Sequence, residues 1–347
     1  MSANPFGLLR YVGEDCAGAA QFARPDRVAG LLAGEGGVEW VGEDDIAHRL
    51  RTLRRDPTAW HMATAGQFSL AGAQAKTALH YEPDSGRWGD PWGAVPTTHI
   101  LKPAVVGFDE HDLNEHLCLE TARTLGIASA RSDVRAFGEE RAIVIERYDR
   151  VRMEDGGIRR IHQEDMCQAL GRLPTEKYQN EGGPTPEQII ELLRGNARPA
   201  QGAIEDIQRF VDALAFNWMI GGTDAHAKNY SILLASGLVR LAPLYDVASA
   251  LPYDDMYLPK LRTAMRIDRE YRLESISGRH WRRFAEANGL DPDEQLTRIE
   301  NLVAQVVDAL AEAVRSPAVH DLRSELPVRL LDRVGTRIQW CRQALSR

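Results

Sequence analysis

The segment from Gly221 to Tyr230, GGTDAHAKNY, places a carboxylate at Asp224 and an amide at Asn229, and LAPLYDVAS at 241–249 adds a second carboxylate at Asp246. These residue types suit phosphoryl transfer, which asks a protein for positioning and charge neutralisation and little covalent work. One carboxylate orients the attacking hydroxyl. An amide oxygen and a second carboxylate hold magnesium against the nucleotide phosphates. Protein kinases meet that need with an Asp, an Asn five residues later and a metal-binding Asp after a short hairpin, and Asp224, Asn229 and Asp246 follow that order. The plain structural alternative is that Asp224 caps a turn and Asn229 satisfies loop backbone. A bare D-x4-N pattern does not separate the two readings; the hairpin and the second Asp favour the site. His226 and Lys228 lie inside the same loop, where either could contact phosphate. His226 suits the role of a packed structural histidine equally well.

The same chemistry needs a cation on a strand to grip the α- and β-phosphates. Lys102, which ends the run Thr98–Leu101 and precedes Pro103, fits that place or that of an ordinary strand-end lysine. Glu115 on the following helix is a candidate ion-pair partner for it, with Glu120 on the same helix. The strand Ala142–Glu146, running into Arg147 and Tyr148, would offer backbone groups to adenine; its plainer reading is a core strand with an exposed Glu. The loop 66–77, GQFSLAGAQAKT, carries small residues at Ala71, Gly72 and Ala73 that let backbone N–H groups approach phosphate oxygens. It is not a Walker A loop, because only Gly72 and the pair Lys76-Thr77 echo GxxxxGK[ST].

The elements that must position these residues divide near residue 150. Before it, β-prone runs (98–101, 134–137, 142–146) alternate with turn signals such as Pro-Asp-Ser-Gly at 83–86. One helix interrupts them, capped by Asp112 and stopped by Gly126. Beyond 150 the pattern is helical, with Ile207, Phe210, Val211, Leu214 and Trp218 on one stripe and Ile299, Leu302, Val303, Val306, Val307 and Leu310 on another. Between the stripes, 230–234 and 238–241 read as two strands about a Ser-Gly turn, and 176–186 (EKYQNEGGPTP) reads as an exposed loop. An α+β fold of two lobes is expected, with a β-rich lobe over 1–150 and a helical lobe over 151–347.

Composition sets the outer limits. The 347 residues carry 27% charged side chains and a formal charge of −8, which gives the chain as a whole no long-range pull on nucleic acid or anionic membrane. Cys16, Cys118, Cys167 and Cys341 lie far apart with no zinc spacing, as scattered buried thiols of a reducing cytoplasm would. There is no apolar leader and no run near the ~18 residues that span a bilayer, so a cytoplasmic protein is expected.

The sequence resembles the HipA family of bacterial toxin serine/threonine kinases over nearly its whole length. The resemblance rests on collinear segments: SLAGAQAKTAL (69–79), HILKP (99–103), NEHLCLETARTLG (114–126), IERYDR (145–150), QEDMCQALG (163–171), KYQNEGGP (177–184), TDAHAKNYS (223–231) and PLYDVASA (243–250). It implies that the two lobes are of protein-kinase type, with ATP and Mg2+ as cofactors, Asp224 as catalytic base, and Asn229 and Asp246 as magnesium ligands. It implies nucleotide contacts from Ala71, Gly72, Ala73, Gln74, Lys76, Lys102, His226 and Lys228, and a hinge bounded by Glu146 and Tyr148. Family members autophosphorylate a serine corresponding to Ser69, and a phosphoserine adds about −1.5 to −2 charge where ATP phosphates must sit. Their substrate is an aminoacyl-tRNA synthetase, best known as glutamyl-tRNA synthetase. Their partner is a helix-turn-helix antitoxin of HipB type, through which alone they meet DNA. Two departures stand out. Longer members carry a small β-rich subdomain before the segment matching 4–18, so either a separately encoded protein supplies it or the coding sequence is shortened. Ala75 stands where the family loop often has Glu. A catalytically silent kinase-like subunit and a small-molecule kinase are the competing readings.

Overall fold

A computed structural model describes residues 9, 13–55, 74–105 and 108–347. The chain divides into two units, Met1–Asp112 with Arg131–Gln163, and Leu113–Ala130 with Glu164–Arg347.

The first unit is built on six short strands, β1 (Gly36–Val41), β2 (Thr77–Glu82), β3 (Arg87–Gly93), β4 (His99–Pro103), β5 (Ser132–Phe137) and β6 (Glu140–Glu146). They pair antiparallel in the order β1-β3-β2-β4-β6-β5. The turn read from 83–86 joins β2 to β3, and the three runs read as strands fall on β4, β5 and β6. Because side chains alternate across a strand, Leu79, Leu101, Ala142 and Val144 share one face. There they pack on Ile46, Ala47 and Leu50 of helix α2 (Glu43–Arg55), which follows α1 (Pro25–Leu32). Glu43, Asp44 and Asp45 in the first turn of α2 and Arg54 and Arg55 in its last complement the helix dipole. A hairpin of β7 (Arg150–Arg152) and β8 (Ile158–Arg160) completes this unit.

The second unit holds α3 (His111–Thr124) from Leu113 onward, and begins again within β9 (His162–Asp165). Asp165 caps the short α4 (Met166–Ala169), and α5 (Pro186–Asn196) starts in a capping box of Thr185 and Gln188. The longest buried stripe belongs to α6 (Gly202–Ile220), where Phe210, Ala213, Phe216, Trp218 and Met219 are fully buried. The hairpin of β10 (Ser231–Ala235) and β11 (Leu238–Leu241) lies where the sequence places it, turning through Ser236 and Gly237, both at positive φ. A second hairpin, β12 (Arg262–Ile267) and β13 (Glu270–Arg272), precedes the helical end of the chain: α7 (Gly278–Ala287), α8 (Pro292–Val314), α9 (Pro317–His320) and α10 (Leu326–Leu345). Trp281 of α7 packs edge-on against Trp218, with ring centroids 5.8 Å apart. All four cysteines are buried and free, as expected.

The segment 176–186 departs from the exposed loop expected of it. Gln179 to Glu181 form a 3-10 turn, Gln179 is buried, and Gly183, Pro184 and Pro186 are buried after it. Its turn formers make a folded element.

Candidate active site

In the second unit, α6 delivers the chain into the Asp224 loop through two glycines that no other residue can replace without a shift. A Cβ on Gly221, at φ +68°, would lie 2.8 Å from the Leu251 side chain, and one on Gly222 would lie 2.2 Å from Asn217 Oδ1. Beyond them the Asp224 side chain is exposed, while His226 and Asn229 are buried. The loop is internally bonded: His226 N donates to Asp224 O (2.8 Å) and Asn229 N to His226 O (2.9 Å). The Asn229 side chain then ties the three predicted residues together, since its Nδ2 donates to the backbone carbonyls of Asp224 (3.1 Å) and Asp246 (3.3 Å). Those bonds fix which way round the amide sits and turn Oδ1 away from them.

Asp246 stands half-buried at φ +59°, a left-handed conformation costly for a side-chain-bearing residue. Its neighbours hold it there. Tyr245 Oη donates to Lys228 O (2.8 Å) and takes the Ser231 hydroxyl (2.5 Å). Asn114 of α3 bonds both backbone groups of Ser249, accepting from its N–H (3.0 Å) and donating to its carbonyl (2.8 Å).

Two partners in this loop escape sequence reasoning. Tyr178 Oη donates to Asp224 Oδ1 at 2.5 Å. Burial, and the Asp224 carboxylate beside it, push this phenol well above the usual tyrosine range. Lys228 Nζ lies 2.5 Å from Asp165 Oδ2, so the lysine expected near phosphate is engaged with a carboxylate. The pair Gly182-Gly183 after Tyr178, and the Asp165-x-x-Gln168 capping box, are the signals that could have drawn notice to both. His226 packs edge-on against the Tyr178 ring at 5.0 Å, and its Nδ1 has no hydrogen-bond partner among the described residues. Burial lowers its pKa, which keeps the imidazole neutral.

In the first unit, Lys102 is buried on β4 opposite Ile143 of β6, on the sheet face away from α2. Lys76 is buried just before β2, and Gln74 Nε2 donates to Pro103 O at 3.3 Å, which sets residues 74–76 beside the end of β4. Glu146 is exposed at the end of β6; its N–H donates to Arg131 O (2.9 Å), and that of Arg147 to Thr98 O (2.9 Å). Tyr148 Oη hydrogen-bonds Gln163. Ser69, Ala71, Gly72 and Ala73 lie outside the described residues.

As a cation site, Asn229 and Asp246 offer hard oxygen donors, and no group of three or more His, Cys, Asp or Glu suited to a metal exists among the described residues. An amide and a carboxylate oxygen suit magnesium, which keeps several waters and takes phosphate oxygens for the rest of its shell. The residues present therefore fit the ion that kinase chemistry requires.

An antiparallel sheet carrying a buried lysine, followed by a mainly helical unit with an Asp/Asn loop, a hairpin and a strained Asp, defines a protein-kinase-like fold. Comparison with known proteins narrows the class. Residues 68–313 match the model of the HipA-like C-terminal domain. Y4mE of Sinorhizobium fredii, which bears a kinase name, is 39% identical over 317 residues, covering 90% of this chain and 73% of that protein. The serine/threonine-protein kinase toxin HipA of Shewanella oneidensis is 28% identical, covering 90% of this chain and 71% of that one. The chain belongs to the HipA-like kinase family. Its fold matches that of Shewanella oneidensis HipA, solved with HipB and operator DNA, at a TM-score of 0.77 and 24% identity over 100% of this chain and 82% of that one. The Helicobacter pylori proinflammatory kinase CtkA matches at a TM-score of 0.52 and 12% identity, covering 78% of this chain and 92% of the other. Among the described residues, no helix is long and apolar enough to cross a membrane.

Proposed function

We propose that this chain transfers the γ-phosphate of ATP to serine or threonine hydroxyls of proteins, itself included, as a cytoplasmic kinase of toxin type. The observation that carries the reading is the Asn229 side chain, whose one nitrogen bonds the carbonyls of both Asp224 and Asp246. Backbone satisfaction by Asn229 accounts for the bonds themselves; what favours the kinase reading is that the two carbonyls belong to the two aspartates of the proposed site, 22 positions apart in the chain. In this reading Asp224 accepts the proton of the attacking hydroxyl, and Asn229 Oδ1 and the Asp246 carboxylate hold magnesium. Magnesium neutralises charge on the phosphates when bound. Lys102, with Lys76 and the segment 71–74, grips phosphate oxygens, and Glu146 and Tyr148 border adenine. Retention of Lys102, Asp224, Asn229 and Asp246 speaks against a catalytically silent subunit, since loss of one member usually marks such proteins.

Ser69 is the proposed autophosphorylation site, and an aminoacyl-tRNA synthetase, glutamyl-tRNA synthetase first among them, the proposed substrate. The proposed partner is a helix-turn-helix antitoxin of HipB type, through which DNA is met indirectly. The HipB in the Shewanella oneidensis complex supports that choice of partner. The test is incorporation of labelled phosphate from ATP and magnesium into phosphatase-treated protein, followed by intact mass and by incubation with purified synthetases. Wild type gains one phosphate, while Asp224→Ala and Asp246→Ala gain none. A wild-type protein that binds ATP and labels neither itself nor any synthetase refutes the reading.

A further inference from the structure

Tyr178 reaches Asp224 from 46 residues earlier in the chain. At 2.5 Å, a phenol donating to a carboxylate makes a charge-assisted bond, about twice as strong as a neutral one. Asp224 is exposed, and its Oδ2 makes no hydrogen bond among the described residues. An exposed aspartate on a loop would exchange rotamers; one oxygen tied to a fixed phenol stops that exchange.

The phenol is itself fixed from several sides. Its ring lies edge-on to His226 at 5.0 Å, and Lys177 Nζ stands over it at 4.9 Å. The backbone beside it is bonded to the same loop, because Ala227 N donates to Lys177 O at 3.2 Å. Tyr178 O accepts from Glu181 N (3.0 Å) and Gly183 N (2.9 Å). A Cβ on Gly183 would lie 2.4 Å from Glu176 O and 2.7 Å from Tyr178 O, so that close return of the chain needs glycine. Gln179 Oε1 accepts from Arg266 N at 2.9 Å, which anchors the far side of the turn.

We propose that Tyr178 is a positioning residue for phosphoryl transfer: held by the folded segment 176–183, it locks Asp224 in one orientation and leaves Oδ2 as the acceptor for the incoming hydroxyl. The proposal rests on Asp224 being the base of the proposed kinase. It assigns the segment 176–183, with its double glycine, to the catalytic loop as a brace, a role that neither its turn-rich composition nor its place among the family-like segments specifies.

Tyr178→Phe keeps the ring and its packing and removes only the hydroxyl. The experiment compares phosphatase-treated wild type, Tyr178→Phe and Tyr178→Ala for the single-turnover rate of self-labelling at saturating ATP and magnesium, ATP affinity by calorimetry, and melting temperature. Loss of orientation at a reacting group costs about 10- to 100-fold in rate. Tyr178→Phe should therefore lose that much rate while its ATP affinity stays within about twofold of wild type. Tyr178→Ala should lose at least as much rate and also melt lower. If Tyr178→Phe labels itself as fast as wild type, positioning is wrong and the phenol is only part of the fold. Equal losses in ATP affinity and rate would also overturn it. A silent wild type overturns the kinase reading and the positioning role together, so the two failures are told apart by the wild-type lane.

Discussion

Lys228 Nζ and Asp165 Oδ2 stand 2.5 Å apart, with the lysine and aspartate side chains only 16% and 7% exposed. The other oxygen, Asp165 Oδ1, takes the N–H groups of Cys167 and Gln168 at the start of α4. One carboxylate thus caps a short helix and pins the Asp224 loop to it. The expected consequence is that Lys228→Met acts on stability first, because it leaves a mostly buried carboxylate oxygen without its cation. A loss of about 1–3 kcal/mol follows, or roughly 2–12 °C in Tm for a unit of this size. ATP affinity, measured by calorimetry, should change less than about threefold. A tenfold loss of ATP affinity with unchanged Tm would return Lys228 to the phosphates.

Much of this was legible because its causes are local. β-Prone runs set between turn signals marked the strands at 98–101, 134–137 and 142–146, and a Ser-Gly pair between apolar runs marked the β10–β11 hairpin. Helical periodicity marked α6 and α8. The spacing of Asp224, Asn229 and Asp246 suggested a common site, and the second unit brings the three together through one amide. Illegible were pairings set by topology. Tyr178 meets Asp224 across 46 positions and Lys228 meets Asp165 across 63, and neither pair has a period or motif of its own. The segment 176–186 misled for a related reason. Gly, Pro and Asn signal a turn, and composition does not say whether that turn lies in solvent or against another loop.

The pH response of the first unit has a definable origin in His99. Burial, with Arg135 and Arg152 nearby, lowers its pKa to about 4. The Thr98 hydroxyl accepts from Tyr81 N at 2.8 Å and so has its proton to give to His99 Nδ1 at 2.9 Å, which suits a neutral ring. An unfolded histidine titrates near 6.5. Between pH 6.5 and 4 the unfolded chain therefore binds the extra proton, and stability falls as pH falls through that window. The loss reaches about 3 kcal/mol at the acid end. Urea midpoints of wild type at pH 7 and pH 4.5 should differ by more than those of His99→Phe; equal differences would remove His99 as the cause.

A second, more acidic step should come from the buried ions around residue 147. Arg147 is bonded to Asp15 and Asp149, Arg150 contacts both carboxylates, and all four side chains are almost fully buried. Burial would raise both carboxyl pKa values, but the guanidinium charges of Arg147 and Arg150 outweigh it and hold them below the ordinary range. Their contribution is complete above the unfolded value of about 4 and is lost as pH falls below it. Asp149→Asn keeps the shape and removes the charge, leaving Arg147 and Arg150 short of a counter-ion in a buried place. A loss of about 3–5 kcal/mol is expected, read as a Tm lower by about 10 °C. A variant that melts within 2 °C of wild type would mean that the cluster is hydrated and weak.

At Asp246 charge and backbone can be separated, because its φ of +59° imposes a conformational demand independent of its carboxylate. Asparagine tolerates left-handed backbone better than most residues, glycine adopts it freely, and alanine does not. Asp246→Asn should therefore fold about as well as wild type, Asp246→Gly should melt no lower than Asp246→Ala, and Asp246→Ala should pay about 1 kcal/mol or more in strain. All three lose the carboxylate proposed to hold magnesium, and self-labelling should fall by at least 100-fold in each, whatever the order of their stabilities. If activity instead tracked melting temperature, with Asp246→Asn nearly as active as wild type, Asp246 would be a turn residue and the cation would have to be held elsewhere. The left-handed backbone would then be a feature of the fold alone. If activity is lost in all three while stability follows the backbone preference, the strain at Asp246 is what aims a charge that the reaction cannot do without.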